Sequence, residues 1–345
     1  MRTPPPDPCE RAEQPSGCAY STPNGRALVG DSLELLGQLE PGSVDLVITS
    51  PPFALQRQKA YGNEEQAAYV EWLCRFAREA HRVLRETGSF VIDIGGAYER
   101  GAPSRSLYNF RALIAFCDDV GFHLAQDFYW YNPSRLPSPI EWVNKRKVRV
   151  KDAVNTVWWL SKTPWPHADV TQVLTPYSER MKQLLRDPER FYKPKKRPSG
   201  HAIGTSFAHD NGGAIPPNLL QIPNSESNGL YLQACKATGV QGHPARFPAK
   251  LPEFFIKMLT RPGDLVVDIF AGSNTTGQVA EGLERRWIAM EQSREYVAAS
   301  AFRFVDSVAA CGDVHARILA GETVVLPGSA CGARPVSARA ARPRA

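Results

Sequence analysis

Several absences narrow what this chain can be. No apolar run approaches the roughly 20 residues that cross a bilayer, and the opening MRTPPPDPCERAEQPSG has no signal-peptide apolar core. Membrane and secretory classes are set aside, and a cytoplasmic protein is the expectation. The seven cysteines (Cys9, Cys18, Cys74, Cys117, Cys235, Cys311, Cys331) are scattered and form no C-x-x-C pair. Neither a zinc site nor a disulfide framework is expected from them. Charge is not extreme either: a net +6 allows nucleic acid as a partner without demanding it. What is present is size. At 345 residues, 43% of them hydrophobic, the chain can bury one large core or two modest ones.

Residues 1–22, rich in Pro and charge, and 327–345, rich in Ala, Arg and Pro, read as tails outside the fold. Between them the pattern alternates short apolar strands with helical stretches, which predicts an α/β fold with a mostly parallel sheet. Strands are predicted at 26–31, 44–48, 89–94, 122–131, 154–160, 265–269 and 287–291. Helices are predicted at 32–39, with Asp31 or Ser32 as the cap, and at about 66–84, 106–120, 251–259, 276 onward and 293–309. From about Thr163 to Gly242 periodicity fades and Pro/Gly/Asn turn signals gather. That stretch is too long for a loop and is expected to be an inserted recognition region. It divides the ordered chain into halves at 23–162 and 243–312.

Two stretches carry chemistry. The first is Thr49-Ser50-Pro51-Pro52-Phe53, after the apolar strand Val44–Ile48. Neither proline has an N–H for a sheet ladder, and each stiffens the residue before it. Carbonyls of Ser50 and Pro51 are then free to face a cleft, beside one hydroxyl and the flat ring of Phe53. Such a set suits a flat ring bearing an amino group. Read alone, it also describes a proline-stopped strand with a core Phe.

The second is LVVDIFAGSNTTG over 265–277, followed by a strand ending in Glu291. A strand closing on an acid, a small-residue turn opening a helix, and an acid closing the next strand form a nucleoside-binding arrangement. The G-x-G-x-x-G spacing of a dinucleotide site is absent. Asn274 stands where glycine is expected, but Asn tolerates the left-handed conformation. Asp268 would repel a pyrophosphate and attract an α-ammonium group. An amino acid joined to a nucleoside is S-adenosylmethionine, the predicted cofactor; no metal is predicted.

With both motifs in this order, the chain resembles the DNA amino-methyltransferases of the permuted branch, in which the catalytic motif precedes the cofactor motif. The likeness runs over about 26–310 and includes TSPPFALQRQKAYGN, NPSRLPSPIEWVNKRK, RPSGHAIGTSFAHDNGG and HPARFPAKLPEFFIKMLT. It implies the class I methyltransferase fold, seven strands with one antiparallel, and cytosine N4 as the target. By resemblance, Ser50, Pro51, Pro52 and Phe53 are catalytic. Asp31, Phe247, Asp268, Phe270, Ala271, Gly272, Ser273, Asn274, Thr275, Thr276 and Glu291 belong to the cofactor site. It further implies the palindrome CAGCTG, a partner restriction endonuclease acting on the same site, and action as a monomer on double-stranded DNA.

Asp93 closes the strand expected beside that of Ser50. It is a candidate to accept from Ser50 or to help a proton leave, or else a turn acid before Gly95-Gly96. Tyr129, Trp130 or Tyr131 is expected opposite Phe53 on the target base. Phosphate contacts are expected from two basic clusters: Lys145, Arg146, Lys147, Arg149 and Lys151, and Lys193, Lys195, Lys196 and Arg197. Base-edge readers are sought at His201, Asn211 and Asn224. Chemistry at ring carbon five needs a cysteine nucleophile, and the one Pro-Cys pair, Pro8-Cys9, lies in the N-terminal tail. Adenine N6 is the rival target, although enzymes of that kind more often carry Asp or Asn in place of Ser50. A DNA-binding protein that keeps only the nucleoside fold is the other alternative.

Overall fold

The centre of the molecule is the strand that delivers Ser50. Val44–Thr49 is buried along nearly its whole length and has a parallel neighbour on each side, which is why its sequence is a continuous apolar run rather than an alternation. The computed structural model describes residues 17–53, 66–99, 101–191, 209–225 and 229–328.

Among these residues the strands are β1 (Cys18–Ser21), β2 (Gly25–Val29), β3 (Val44–Thr49), β4 (Leu84–Ile94), β5 (His123–Tyr131), β6 (Val154–Ser161), β7 (Leu219–Gln221), β8 (Leu265–Asp268), β9 (Arg286–Glu291) and β10 (Val324–Val325). The helices are α1 (Ser32–Gly37), α2 (Gln66–Val83), α3 (Tyr108–Asp118), α4 (Glu179–Arg186), α5 (Pro188–Phe191), α6 (Leu230–Thr238), α7 (Lys250–Leu259), α8 (Thr275–Gly282), α9 (Arg294–Ser300) and α10 (Val308–Leu319).

All strands join one sheet in the order β10-β1-β2-β9-β8-β3-β4-β6-β5-β7. The seven predicted strands are its middle, β2-β9-β8-β3-β4-β6-β5. Within them β6 alone opposes its neighbours. The count of seven is corrected to ten, because short strands extend both edges. β1 runs antiparallel to β2, β10 pairs with β1, and β7 lies parallel to β5. Three further boundaries move. Tyr20 in β1 is fully buried, so the stretch 17–22 belongs to the fold rather than to a tail; residues 1–16 and 329–345 lie outside the described residues. The recognition stretch 163–242 is not separate from the sheet, since it contributes β7 and the helix α6. The last predicted helix is broken: a 3-10 turn at Ala301–Phe304 buries Phe302 and Phe304 together, Val305 is extended, and α10 starts at Val308.

Helices cover both faces. On one, Leu73, Phe76, Ala77, Ala80 and Val83 of α2 pack with α1 and α3 against Val47, Ile92 and Val267. On the other, Phe255 and Leu259 of α7 and Ile318 of α10 pack against Leu46, Ile48 and Val266. The buried residues of α2 recur at helical spacing, so propensity and burial agree. After β3 the chain crosses to the first face through α2, and after β8 to the second through α8, whose Ala280 lies in the second core. Neighbouring parallel strands whose crossovers leave by opposite faces open a crevice at their carboxyl ends. The two sequence motifs meet there.

Candidate active site

The crevice holds a cavity of about 650 Å³, ample for a nucleoside-sized ligand with a second ring beside it. Ser50, Pro51, Pro52, Phe53 and Asp93 line one part of it. Asp31, Phe247, Phe270, Ala271, Gly272, Ser273, Thr275 and Glu291 line the other.

On the first side, the Ser50 hydroxyl donates to Asp93 Oδ2 at 3.1 Å. Asn155 of β6 donates its amide to Asp93 Oδ1 at 3.1 Å, and the Arg135 guanidinium donates to Asn155 Oδ1 at 2.9 Å. Asp93 is 4% exposed. Burial pushes its carboxyl up to about 6, against the opposing pull of the Asn155 and Ser50 hydrogen bonds and the Arg135 charge. Asp93 therefore meets Ser50, as the first of its two sequence readings required. The Phe53 ring packs against Gly95: a Cβ there would stand 2.4 Å from a ring carbon. The glycine after β4 is thus a close-approach position. Of the three aromatics expected opposite Phe53, Trp130 lines the cavity, held by its indole N–H to the Ile222 carbonyl at 2.8 Å. Tyr129 and Tyr131 lie elsewhere.

On the second side, the small-residue turn is tightly built. Asn274 takes the left-handed conformation (φ 53°) and caps α8, accepting from Gly277 N–H at 2.9 Å. Its amide donates to the Tyr20 hydroxyl at 2.9 Å, so the departure from glycine is accommodated by a buried partner. Gly272 is also left-handed, and the His243 ring sits 3.0 Å from where its Cβ would be. Arg303 clamps the turn from outside, donating to the Ser273 carbonyl and to the Thr275 hydroxyl while covering the Tyr231 ring. Glu291, at the end of β9, accepts from Gly272 N–H and Ser293 N–H, both at 3.0 Å, and burial raises its pKa. Phe270, Trp72 and Phe76 form an aromatic wall, with ring centroids 5.6 and 4.8 Å from that of Phe270.

One sequence assignment is corrected. Asp268 does not reach the cavity and is 2% exposed. Its carboxylate accepts from Thr49 at 2.7 Å, from Thr276 at 2.6 Å and from Phe270 N–H at 3.1 Å. Burial pushes its carboxyl up to about 6. It therefore ties the two turns together instead of meeting an ammonium group. Thr276 and Asn274 likewise build the turn without lining the cavity.

Missed by sequence reading were Arg135, Asn155, Trp72, Phe76 and His243. Asn155 had no motif around it, and Arg135 lies in the NPSRLPSPIEWVNKRK segment without any role having been assigned to it; Trp72 and Phe76 read as ordinary core positions of an amphipathic helix.

The first basic cluster lies in the exposed connection between β5 and β6. Lys145 and Arg146 pair with Glu141 at 3.3 and 3.0 Å. Arg149 donates to the Pro103 carbonyl, and Lys151 to the carbonyls of Pro133 and Arg135. Lys147 is exposed in a left-handed conformation (φ 55°). Lys193, Lys195, Lys196, Arg197 and His201 lie outside the described residues. Asn211 is exposed with its backbone N–H on the Tyr177 hydroxyl, and Asn224 lines the cavity, donating to the Arg246 carbonyl at 2.8 Å. Among the described residues no helix is long and apolar enough to span a membrane, and no cluster of three or more His, Cys, Asp or Glu side chains is placed to hold a metal.

A stiff hydroxyl-bearing turn and a nucleoside-type turn facing each other across one switch point define an S-adenosylmethionine-dependent methyltransferase with its motifs in permuted order. A family model described as DNA methylase, of the N6/N4 kind, matches residues 44–302, and the chain belongs to that family. It is 65% identical over 311 residues to the type II methyltransferase M.PvuII of Proteus hauseri, spanning 89% of this chain and 93% of that one. The solved structure of the PvuII DNA methyltransferase (cytosine-N4-specific) matches with a TM-score of 0.74 at 56% identity, covering 90% of this chain and 97% of the other. The DNA adenine methyltransferase YhdJ of Escherichia coli (strain K12) is 25% identical over 275 residues.

Proposed function

We propose that this protein methylates the exocyclic N4 of a cytosine turned out of duplex DNA, at the inner cytosine of CAGCTG. The observation that carries the reading is the Ser50 hydroxyl donating to buried Asp93 at the floor of the cavity. With its proton committed to Asp93, Ser50 Oγ offers lone pairs to a substrate N–H. A carbonyl of Ser50 or Pro51 takes the second amino hydrogen. Both contacts favour a tetrahedral nitrogen, whose lone pair is otherwise delocalised into the ring.

S-adenosylmethionine, when bound, supplies an electrophilic methyl group. Glu291 and Asp31 would hold its ribose and adenine ends, and Ala271, Gly272, Ser273 and Thr275 would line its methionine end. Phe270 and Phe247 close the apolar walls. Phe53 stacks on one face of the target ring and Trp130 flanks the pocket. After transfer the surplus N–H proton passes to Ser50 Oγ as the Ser50 proton moves to Asp93, so the charge on nitrogen is neutralised without a covalent enzyme intermediate. A paired amino group cannot enter this cavity, so the base leaves the duplex first. Positioning and electrostatics supply the acceleration.

The biological role that follows is protection of host DNA from an endonuclease cutting the same palindrome, with the protein acting as a monomer. The test is to methylate plasmid DNA in vitro and map the modified bases. N4-methylcytosine within CAGCTG, and resistance to an endonuclease that cuts there, are expected. Modified adenine, or another motif, overturns the reading.

A further inference from the structure

Asp93 fixes the direction of its hydrogen bonds only while it is ionised. A carboxylate accepts from both neighbours, but the protonated acid also has a proton to give, a hydroxyl donates or accepts, and an amide can be turned end for end. Left to themselves, Ser50, Asp93 and Asn155 could be linked in more than one sense. Arg135 removes that freedom. A guanidinium has donors and no acceptor, so an Arg135 nitrogen 2.9 Å from Asn155 forces the amide oxygen toward it. The amide nitrogen must then face Asp93, where it lies 3.1 and 3.4 Å from the two carboxylate oxygens. Asp93, already receiving from Asn155, receives the Ser50 proton as well.

Resting on the Ser50–Asp93 reading above, we propose that Arg135, acting through Asn155, is the positioning residue that orients this chain so that Ser50 presents lone pairs to the target amino group. The placement supports it. Asn155 is 6% exposed, so its amide has little water to turn toward. Arg135 sits at the cavity wall on the loop between β5 and β6. That loop is braced: Lys151 donates to the Arg135 carbonyl at 3.3 Å, and Arg135 N–H closes a turn onto the Asn132 carbonyl at 3.2 Å.

The other groups near Asp93 do not compete for this role. Tyr69 of α2 and Tyr108 of α3 face it as neutral phenols whose pKa values burial pushes further up. Tyr108 donates to the Gly95 carbonyl instead. Among the described residues, Arg135 is the positive charge acting on Asp93, and it opposes the effect of burial on that acid.

The experiment compares Arg135→Met, Arg135→Lys and Asp93→Asn with the wild type, measuring single-turnover methylation of a CAGCTG duplex against pH, with duplex affinity measured separately. Wild-type turnover is expected to fall as pH drops through about 6, where Asp93 protonates. In Arg135→Met the acid limb moves up by about one unit, so turnover at pH 6 drops about fivefold and recovers in alkali. Arg135→Lys, which keeps a donor and a charge, returns the limb toward its original position. A uniform fall at every pH in both Arg135 variants assigns the residue a structural role and overturns the proposal. So does weakened duplex affinity with an unmoved limb, which marks a phosphate contact. Asp93→Asn separates the two levels: loss of turnover and of the acid limb upholds the Asp93 reading whatever Arg135 shows. A wild-type profile in that variant removes both.

Discussion

The Thr49 hydroxyl donates to Asp268 Oδ1 at 2.7 Å, joining residues 219 positions apart. Thr49 immediately precedes Ser50, and Asp268 opens the turn around the cofactor pocket. A single buried hydrogen bond thus sets the distance between the acceptor side and the donor side of the reaction. Thr49→Val leaves the carboxylate one donor short, and a loss of about 1–3 kcal/mol in stability is expected. Urea unfolding measures it, and Thr49→Ser should restore most of it. A change under about 0.5 kcal/mol for Thr49→Val would show the hydrogen bond to be idle.

Gly95 predicts a more local effect. An alanine there brings its Cβ to 2.4 Å from a Phe53 ring carbon, so the ring must move off its seat. Misplacing a stacking partner by about 1 Å is expected to lower turnover on the order of 10²-fold. Cofactor affinity should stay near wild type, because Phe53 faces the other half of the cavity. Equal loss of cofactor binding, read by equilibrium dialysis, would contradict this division.

Stability should also depend on pH in a stated window. Asp93 and Asp268 are both pushed up to about 6 by burial, whereas an unfolded Asp titrates near 3.9. A raised folded-state pKa means the folded protein holds these protons more tightly than the unfolded chain. Their contribution is complete below about pH 4 and lost as pH rises through about 6, at most roughly 3 kcal/mol per group. The comparison is differential: Asp268→Asn should flatten the fall of unfolding free energy between pH 4 and 6. An unchanged slope there would mean Asp268 ionises as freely folded as unfolded.

The basic turn between β5 and β6 is expected to divide by partner. Among the described residues Lys147 is exposed and Arg149 meets only the carbonyls of Pro103 and Val148, so neither charge is neutralised, whereas Lys145 and Arg146 are shared with Glu141. Replacing Lys147 or Arg149 with Gln should weaken duplex binding alike for cognate and unrelated sequences. The slope of log affinity against log salt should fall by about 0.9 for each phosphate no longer neutralised. Weakening confined to the cognate site would instead make the residue a base reader.

How much of this was legible in the sequence depended on the range of the cause. Most of the seven central strands were readable as apolar runs between turn signals. β8 was marked by the small-residue turn that follows it, and β5, exposed over its first four residues, by its aromatic run. β7 and β10 were not, with three and two residues respectively, nor was β1, four residues beside a Pro-rich stretch; edge strands this short carry no period. SPPF and the 265–277 turn were readable because proline and small residues act locally. Asp268 was placed in the right motif with its side chain facing the wrong way. No local signal says that a hydroxyl eight residues on, at Thr276, and another from a remote strand would claim the carboxylate. Arg135 and Asn155 acquire their meaning only when the β5–β6 hairpin folds against β4.

The interleaving of the sheet has a consequence for synthesis on the ribosome. β3 is made early, but its partner on one side, β8, lies more than two hundred residues later, and β2 waits longer still for β9. Until then the nascent chain exposes two apolar strand edges. The pocket for the methyl donor cannot exist, because Glu291 is among the last of its parts to emerge. No product truncated before Glu291 can therefore modify DNA, and the chain offers chaperones and aggregation partners an open edge for most of its elongation.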